Sequence, residues 1–84
     1  MSPHVRLDDP LAWIEARFEK GTIRPLRFRW KQREFEVAAV NARWIDRETR
    51  PIRTCFSVSA VSGEIFALCY REGDPVWIVT GVEA

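Results

Sequence analysis

Over residues 24–37 polar and apolar side chains alternate, and that alternation restricts the stretch to extended chain. In Arg24-Pro-Leu-Arg-Phe-Arg-Trp30, Leu26, Phe28 and Trp30 fall on one face and Arg27 and Arg29 on the other. A strand turns successive side chains to opposite faces, whereas a helix repeats its apolar face every three or four residues. Arg33 to Val37 continues the alternation, with Phe35 and Val37 set against Glu34 and Glu36. Lys31-Gln32 lies between as a short turn. Neither residue is favoured where a type I′ turn demands positive φ, so the connection is expected to be a two-residue turn or a distorted, longer one.

A two-residue loop predicts one register. Trp30 lies opposite Arg33, Arg29 opposite Glu34, Phe28 opposite Phe35, Arg27 opposite Glu36 and Leu26 opposite Val37. Such cross-strand pairs contribute about 0.2–1 kcal/mol each. A slip by one residue would set apolar side chains against charged ones, so the pattern itself resists it. Arg33 beside Trp30 is also expected to form a cation–π pair.

The rest of the chain reads as further strands. The one begun at Arg33 runs on to Ile45, with a break in phase at Ala38-Ala39 that predicts a bulge or sharp bend. Asp46 to Pro51 is a polar loop. Arg53–Val61 sets Thr54, Phe56, Val58 and Ala60 against Arg53, Cys55, Ser57 and Ser59. Ser62-Gly63 turns the chain into Glu64–Arg71, and Glu72 to Pro75 turns it into Val76–Val82. Asp9 to Gly21 reads two ways. Asp9-Pro10 with Leu11, Ile14 and Phe18 fits an N-capped helix, while Ile14, Ala16 and Phe18 alternating with Glu15, Arg17 and Glu19 fit a strand.

These segments predict an all-β fold, a small antiparallel meander closing into an open barrel or strongly bent sheet. Its strands would be Trp13–Glu19, Arg24–Trp30, Arg33–Ile45, Arg53–Val61, Glu64–Arg71 and Val76–Val82. The expected core comprises Ile14, Phe18, Leu26, Phe28, Phe35, Val37, Phe56, Val58, Leu68, Ile78 and Val82. With 84 residues the chain is read as one domain, residues 1–84, led by a flexible segment over residues 1–10. Four Trp and five Phe supply the apolar area that so short a chain needs.

Trp13-Ile-Glu-Ala-Arg-Phe-Glu19, Phe28-Arg-Trp30, Arg33-Glu-Phe-Glu-Val37 and Val40 through Trp44 are similar to a family of short bacterial all-β domains of unknown function. Phe56-Ser-Val58, Leu68-Cys-Tyr-Arg71 and Trp77 extend the likeness to most of the chain. Relatives carry an Arg-Gly turn where this chain has Lys31-Gln32. The resemblance implies that the first segment is a strand. It also implies a link to nucleic acid, because some relatives are fused to translesion DNA-polymerase-like proteins. It brings no catalytic residues with it.

The chemistry-bearing residues are few. His4 is the single histidine, which leaves no base for a Ser–His or Cys–His arrangement. The four glycines punctuate turns and strand ends and form no phosphate-cradling loop. A Ser62-Gly63 loop of two or four residues would pair Ala60 with Ile65, Cys55 with Tyr70 and Phe56 with Cys69. The thiols would then point to opposite faces, excluding a disulfide or a shared metal. We expect no enzyme, no cofactor and no metal. The N-terminus lacks an apolar leader and no run is long enough to span a bilayer, so the expected setting is the cytoplasm, without membrane contact.

Two binding functions are left. Net charge is +1, yet Arg17 to Arg33 holds seven basic residues against one acid. Arginines interleaved with rings are what single-strand binders use. Against this, Glu34 and Glu36 are expected to neutralise Arg29 and Arg27. The leading expectation is a non-catalytic interaction module that recognises a protein partner, or itself, through an edge strand or an exposed Trp/Arg patch. The alternative is an accessory nucleic-acid binder. Candidate contacts for either are Arg24, Lys31, Arg33, Arg43, Trp44 and Trp77.

Overall fold

A computed structural model describes residues 8–84. His4 and most of the segment expected to be flexible lie outside these residues. Seven strands follow one another: β1 (Asp9–Pro10), β2 (Trp13–Glu19), β3 (Thr22–Trp30), β4 (Arg33–Asp46), β5 (Arg53–Ala60), β6 (Ile65–Arg71) and β7 (Ile78–Glu83). They form one antiparallel sheet in the order β1-β7-β6-β5-β4-β3-β2, curled into an open half-barrel. The segment from Asp9 to Gly21 is strand and turn, not helix. At one end, Leu11 N–H donates to Trp77 O and Ala12 N–H to Arg29 O, both at 2.9 Å, so the link between β1 and β2 reaches both sides of the curl.

The β3–β4 hairpin has the predicted register from Arg27↔Glu36 to Trp30↔Arg33. Lys31 and Gln32 both hold positive φ, 49° and 65°, so the loop has two residues of type I′ sign despite their side chains. Two neighbouring expectations need correction. Arg29 does pair with Glu34 at 3.5 Å, but Arg27 turns to Glu15 on β2 at 3.4 Å instead of Glu36. Lys31, not Arg33, covers the Trp30 ring, at 5.0 Å, while Arg33 lies 4.9 Å from the centre of Phe35.

β4 serves two halves of the fold. Its first residues pair with β3, and from Val37 onward it pairs with β5, with register shifts between Val37 and Ala39 and between Val40 and Ala42. The broken phase at Ala38-Ala39 marks the first of these. Bulges bend a strand and raise its twist, which curls the sheet around its own apolar face.

The β5–β6 register differs from expectation by one residue. Gly63 N–H donates to Ala60 O at 2.9 Å and Ala60 N–H to Glu64 O at 2.8 Å, closing a three-residue loop over Val61-Ser62-Gly63. Gly63 takes φ 108°, outside the ordinary range of residues with a Cβ. The odd loop pairs Ser59 with Ile65 and Cys55 directly with Cys69. The two thiols therefore share one face, contrary to the sequence expectation.

The core lies inside the curl. Phe28, Phe35, Phe56, Val58, Phe66, Leu68, Trp77 and Val79 are buried, and Ile14, Val37, Tyr70 and Val82 pack against them. Phe66 sits among three rings, 5.0 Å from Phe28, 4.7 Å from Phe35 and 5.8 Å from Trp30. Three expected core residues do not belong. Phe18 is 73% exposed. Leu26 is the extra residue at the bulge where Glu15↔Arg27 gives way to Ala16↔Pro25. Ile78 pairs with Cys69 and faces the other side, because a shift after Val79 lets both Val79 and Val82 point inward.

Candidate interaction edge

β2 ends the sheet, with β3 as its sole strand neighbour among the described residues. Its seven residues put Ile14, Ala16 and Phe18 on the core side and Trp13, Glu15, Arg17 and Glu19 on the outer side. Ile14 lies opposite Phe28 and packs on the core; from Ala16 onward the strand runs past it. Pro25 lies opposite Ala16 and offers no N–H to the ladder, a position a proline takes near sheet edges and bulges. Beyond β2 opens a groove of about 390 Å³, lined by Ile14, Ala16, Phe18, Ile23, Pro75 and Trp77, with Arg17 at its side. The core side of an edge strand thus faces a hollow that is mostly apolar, with one arginine beside it.

The outer side of β2 is charged and incompletely balanced. Glu15 is matched to Arg27, but Arg17 lies directly opposite Arg24. Like charges across a ladder oppose pairing. Arg17 has Glu19 at 4.0 Å, and among the described residues no ion pair forms to Arg24.

The six residues singled out in the sequence are dispersed. Arg24 is on β3, Lys31 is in the β3–β4 turn and Arg33 follows it, the last two held by Asp9 at 3.8 Å and Glu64 at 3.9 Å. Arg43 stacks over Phe56 at 5.8 Å, and Phe56 in turn stacks on Trp77 at 5.5 Å. Trp77 is only 9% exposed and is a core ring. Trp44, 43% exposed, lies opposite Cys55 on the other face, where Ser57, Ile65, Ala67 and Thr80 line a second shallow groove of about 250 Å³. The structure brings Arg43 and Trp77 together through Phe56, and Lys31 and Arg33 at one turn; it does not gather the six into one patch.

Sequence reasoning missed the β2 edge by assigning Phe18 to the core. The available signal was Pro25, which marks the neighbouring strand as interrupted.

Cys55 and Cys69 are buried free thiols. Burial, followed by the neighbouring Cys69, pushes the Cys55 thiol far above its ordinary value. A thiol held protonated is a poor nucleophile and a poor metal ligand. Glu64 moves the other way: the Ser62 hydroxyl that donates to it lowers its carboxyl, with its own backbone N–H and Arg33 adding to the effect. Among the described residues no three His, Cys, Asp or Glu side chains cluster as metal ligands would, and no helix is long and apolar enough to cross a membrane.

No protein family, no curated protein and no solved structure matches the chain. The fold and the edge define a small all-β half-barrel with an open strand at one margin.

Proposed function

We propose that this domain is a non-catalytic protein-interaction module that takes up an extended protein segment along β2. The observation that carries the reading is Phe18, 73% exposed on the core side of a strand that ends the sheet. An unpaired strand offers main-chain N–H and C=O groups to an added strand, and flanking apolar side chains supply selectivity. The groove between Phe18 and Trp77 gives alternate side chains of that segment a place to enter.

The side-chain arrangement favours binding over reaction. Its two thiols are buried, and the one at Cys55 is held in the unreactive form. The ion pairing weighs against nucleic acid: Arg17, Arg27, Arg29, Lys31, Arg33 and Arg53 each lie within 4.0 Å of a carboxylate. The cytoplasm, which keeps thiols reduced, is the setting we propose.

The test compares immobilised wild-type domain with Phe18→Lys on the edge and Trp44→Lys on the opposite face, exposed to cell lysate at equal loading. Proteins retained by wild type and Trp44→Lys but lost with Phe18→Lys support the reading. Retention that ignores Phe18→Lys, or no retention at all, overturns it. Salt-sensitive capture of single-stranded nucleic acid by the wild type would favour the alternative instead.

A further inference from the structure

We infer that β2 pairs with β2 of a second copy of this chain, antiparallel about a two-fold axis through Ala16. The inference rests on the reading of β2 as the binding edge and names its occupant. Written against itself in that register, Trp13-Ile-Glu-Ala-Arg-Phe-Glu19 is self-complementary. Glu15 of each copy faces Arg17 of the other, Ile14 faces Phe18, Trp13 faces Glu19, and the two Ala16 residues meet on the axis. A two-fold repeats every contact, so two ion pairs and two Ile–Phe pairs form at once.

The other symmetric registers lose this match. Moving the axis to Glu15 sets Glu15 against Glu15; moving it to Arg17 sets Arg17 against Arg17 and Glu15 against Glu19. Placing the axis between residues opposes Ile14 to Arg17 and turns the added copy inside out, since directly opposed residues share a face. Parallel in-register pairing sets every charge against its like. One arrangement joins opposite charges and apolar pairs together.

Two features of the monomer fit that arrangement. Arg17 lies opposite Arg24 on its inner neighbour, a like-charge pair that an incoming Glu15 carboxylate would relieve. Phe18, 73% exposed and running past the core, gains the Ile14 side chain of the second copy. The alternating charges also limit which strand the edge can take, since an unmatched partner would meet Glu15, Arg17 and Glu19 with the wrong signs.

Sedimentation velocity on the full chain over the micromolar range, at low and high salt, tests the pairing. The wild type is expected to shift from monomer to dimer with concentration, more weakly at high salt. Charge reversals E15R and R17E each place like charges across both pairs, and each is expected to weaken association at least about tenfold. An equimolar mixture of the two restores opposite charges across both pairs and should recover a heterodimer.

R17E separates association from folding. It converts the internal Arg17–Arg24 opposition to an attraction and gives up the exposed 4.0 Å pair with Glu19. These are two small surface effects of opposite sign, so the variant's thermal unfolding should stay close to that of the wild type at monomeric concentrations. A wild type that stays monomeric throughout, or a mixture that associates no better than either variant alone, overturns the inference. The wider reading is judged apart, because retention of other proteins lost in Phe18→Lys would persist without any self-association.

Discussion

Cys55 and Cys69 lie directly opposite each other on β5 and β6, buried on the face of the sheet turned away from the aromatic core. Cys69 Sγ also approaches Thr80 Oγ1 at 3.5 Å. Alkylating or disulfide-exchange reagents attack the thiolate; here both thiols are covered, and at Cys55 burial also disfavours the charged form. Native protein at neutral pH should react far more slowly with a thiol reagent than the unfolded chain, which should titrate two thiols. Prompt reaction of either cysteine in the folded state would contradict the packing.

The same pair predicts how stability responds to alkali. An unfolded thiol titrates near about 8.5, and the folded Cys55 thiol titrates well above that. Between those values the folded state holds a proton that the unfolded chain releases. Stability is therefore full below the unfolded value and falls as pH rises above it, with a limiting slope of about 1.4 kcal/mol per pH unit. Cys55→Ala removes this component, so its denaturant midpoint should lose less between pH 8 and 10 (about the range where an unfolded thiol ionises) than that of the wild type.

Gln32 holds φ 65° on an exposed turn, and Lys31 before it holds 49°. A side chain in the left-handed region costs about 1–2 kcal/mol that glycine does not incur. Lys31 recovers part of this through Asp9 and the Trp30 ring, whereas no hydrogen bond or ion pair to the Gln32 side chain is present among the described residues. Gln32→Gly should raise stability by about 1 kcal/mol, read as a higher urea midpoint with unchanged slope. A lower midpoint would show that Gln32 makes a contribution its geometry does not reveal.

Phe66 and Phe18 are two phenylalanines with opposite roles. Phe66, 1% exposed, contacts the rings of Phe28, Trp30 and Phe35, so Phe66→Ala should cost about 3–5 kcal/mol, a large share of a small domain's stability. Phe66→Leu keeps most of the volume and gives a graded loss in the same direction. Phe18→Ala, by contrast, should change monomer stability by less than about 0.5 kcal/mol. Comparable losses at the two positions would move Phe18 back into the core.

Gly63 is the remaining conformational determinant of the cysteine register. At φ 108°, a β-branched replacement such as Gly63→Val should destabilise the β5–β6 hairpin by more than about 1 kcal/mol. Amide exchange should then accelerate first at Ala60 and Gly63, whose N–H groups close the loop.

The hairpin from Arg27 to Glu36 was legible because several local signals agree: period-two alternation, a two-residue gap and opposite charges in register. The strand from Trp13 to Glu19 was legible as alternation, though the same residues also fit a helix. What escaped were the places where one residue is added to one strand only. Leu26, the shift after Val79 and the third residue of the Val61-Ser62-Gly63 loop each move every later side chain to the other face. Leu26, Ile78 and the cysteine pair were misplaced for that one reason, whereas Phe18 keeps its expected face and is exposed because β2 runs past the core.

The residue order by itself determined that the chain is extended, antiparallel and closed by short turns, because alternation and turn chemistry act between neighbours. It determined the opposite charges of Arg29 and Glu34 and the aromatic supply of the core as well. Tertiary structure alone decided which strand ends the sheet, which arginine takes which acid and whether two thiols meet. Those outcomes depend on bulges and curl, which sum small local offsets across several strands before any pair of side chains is fixed.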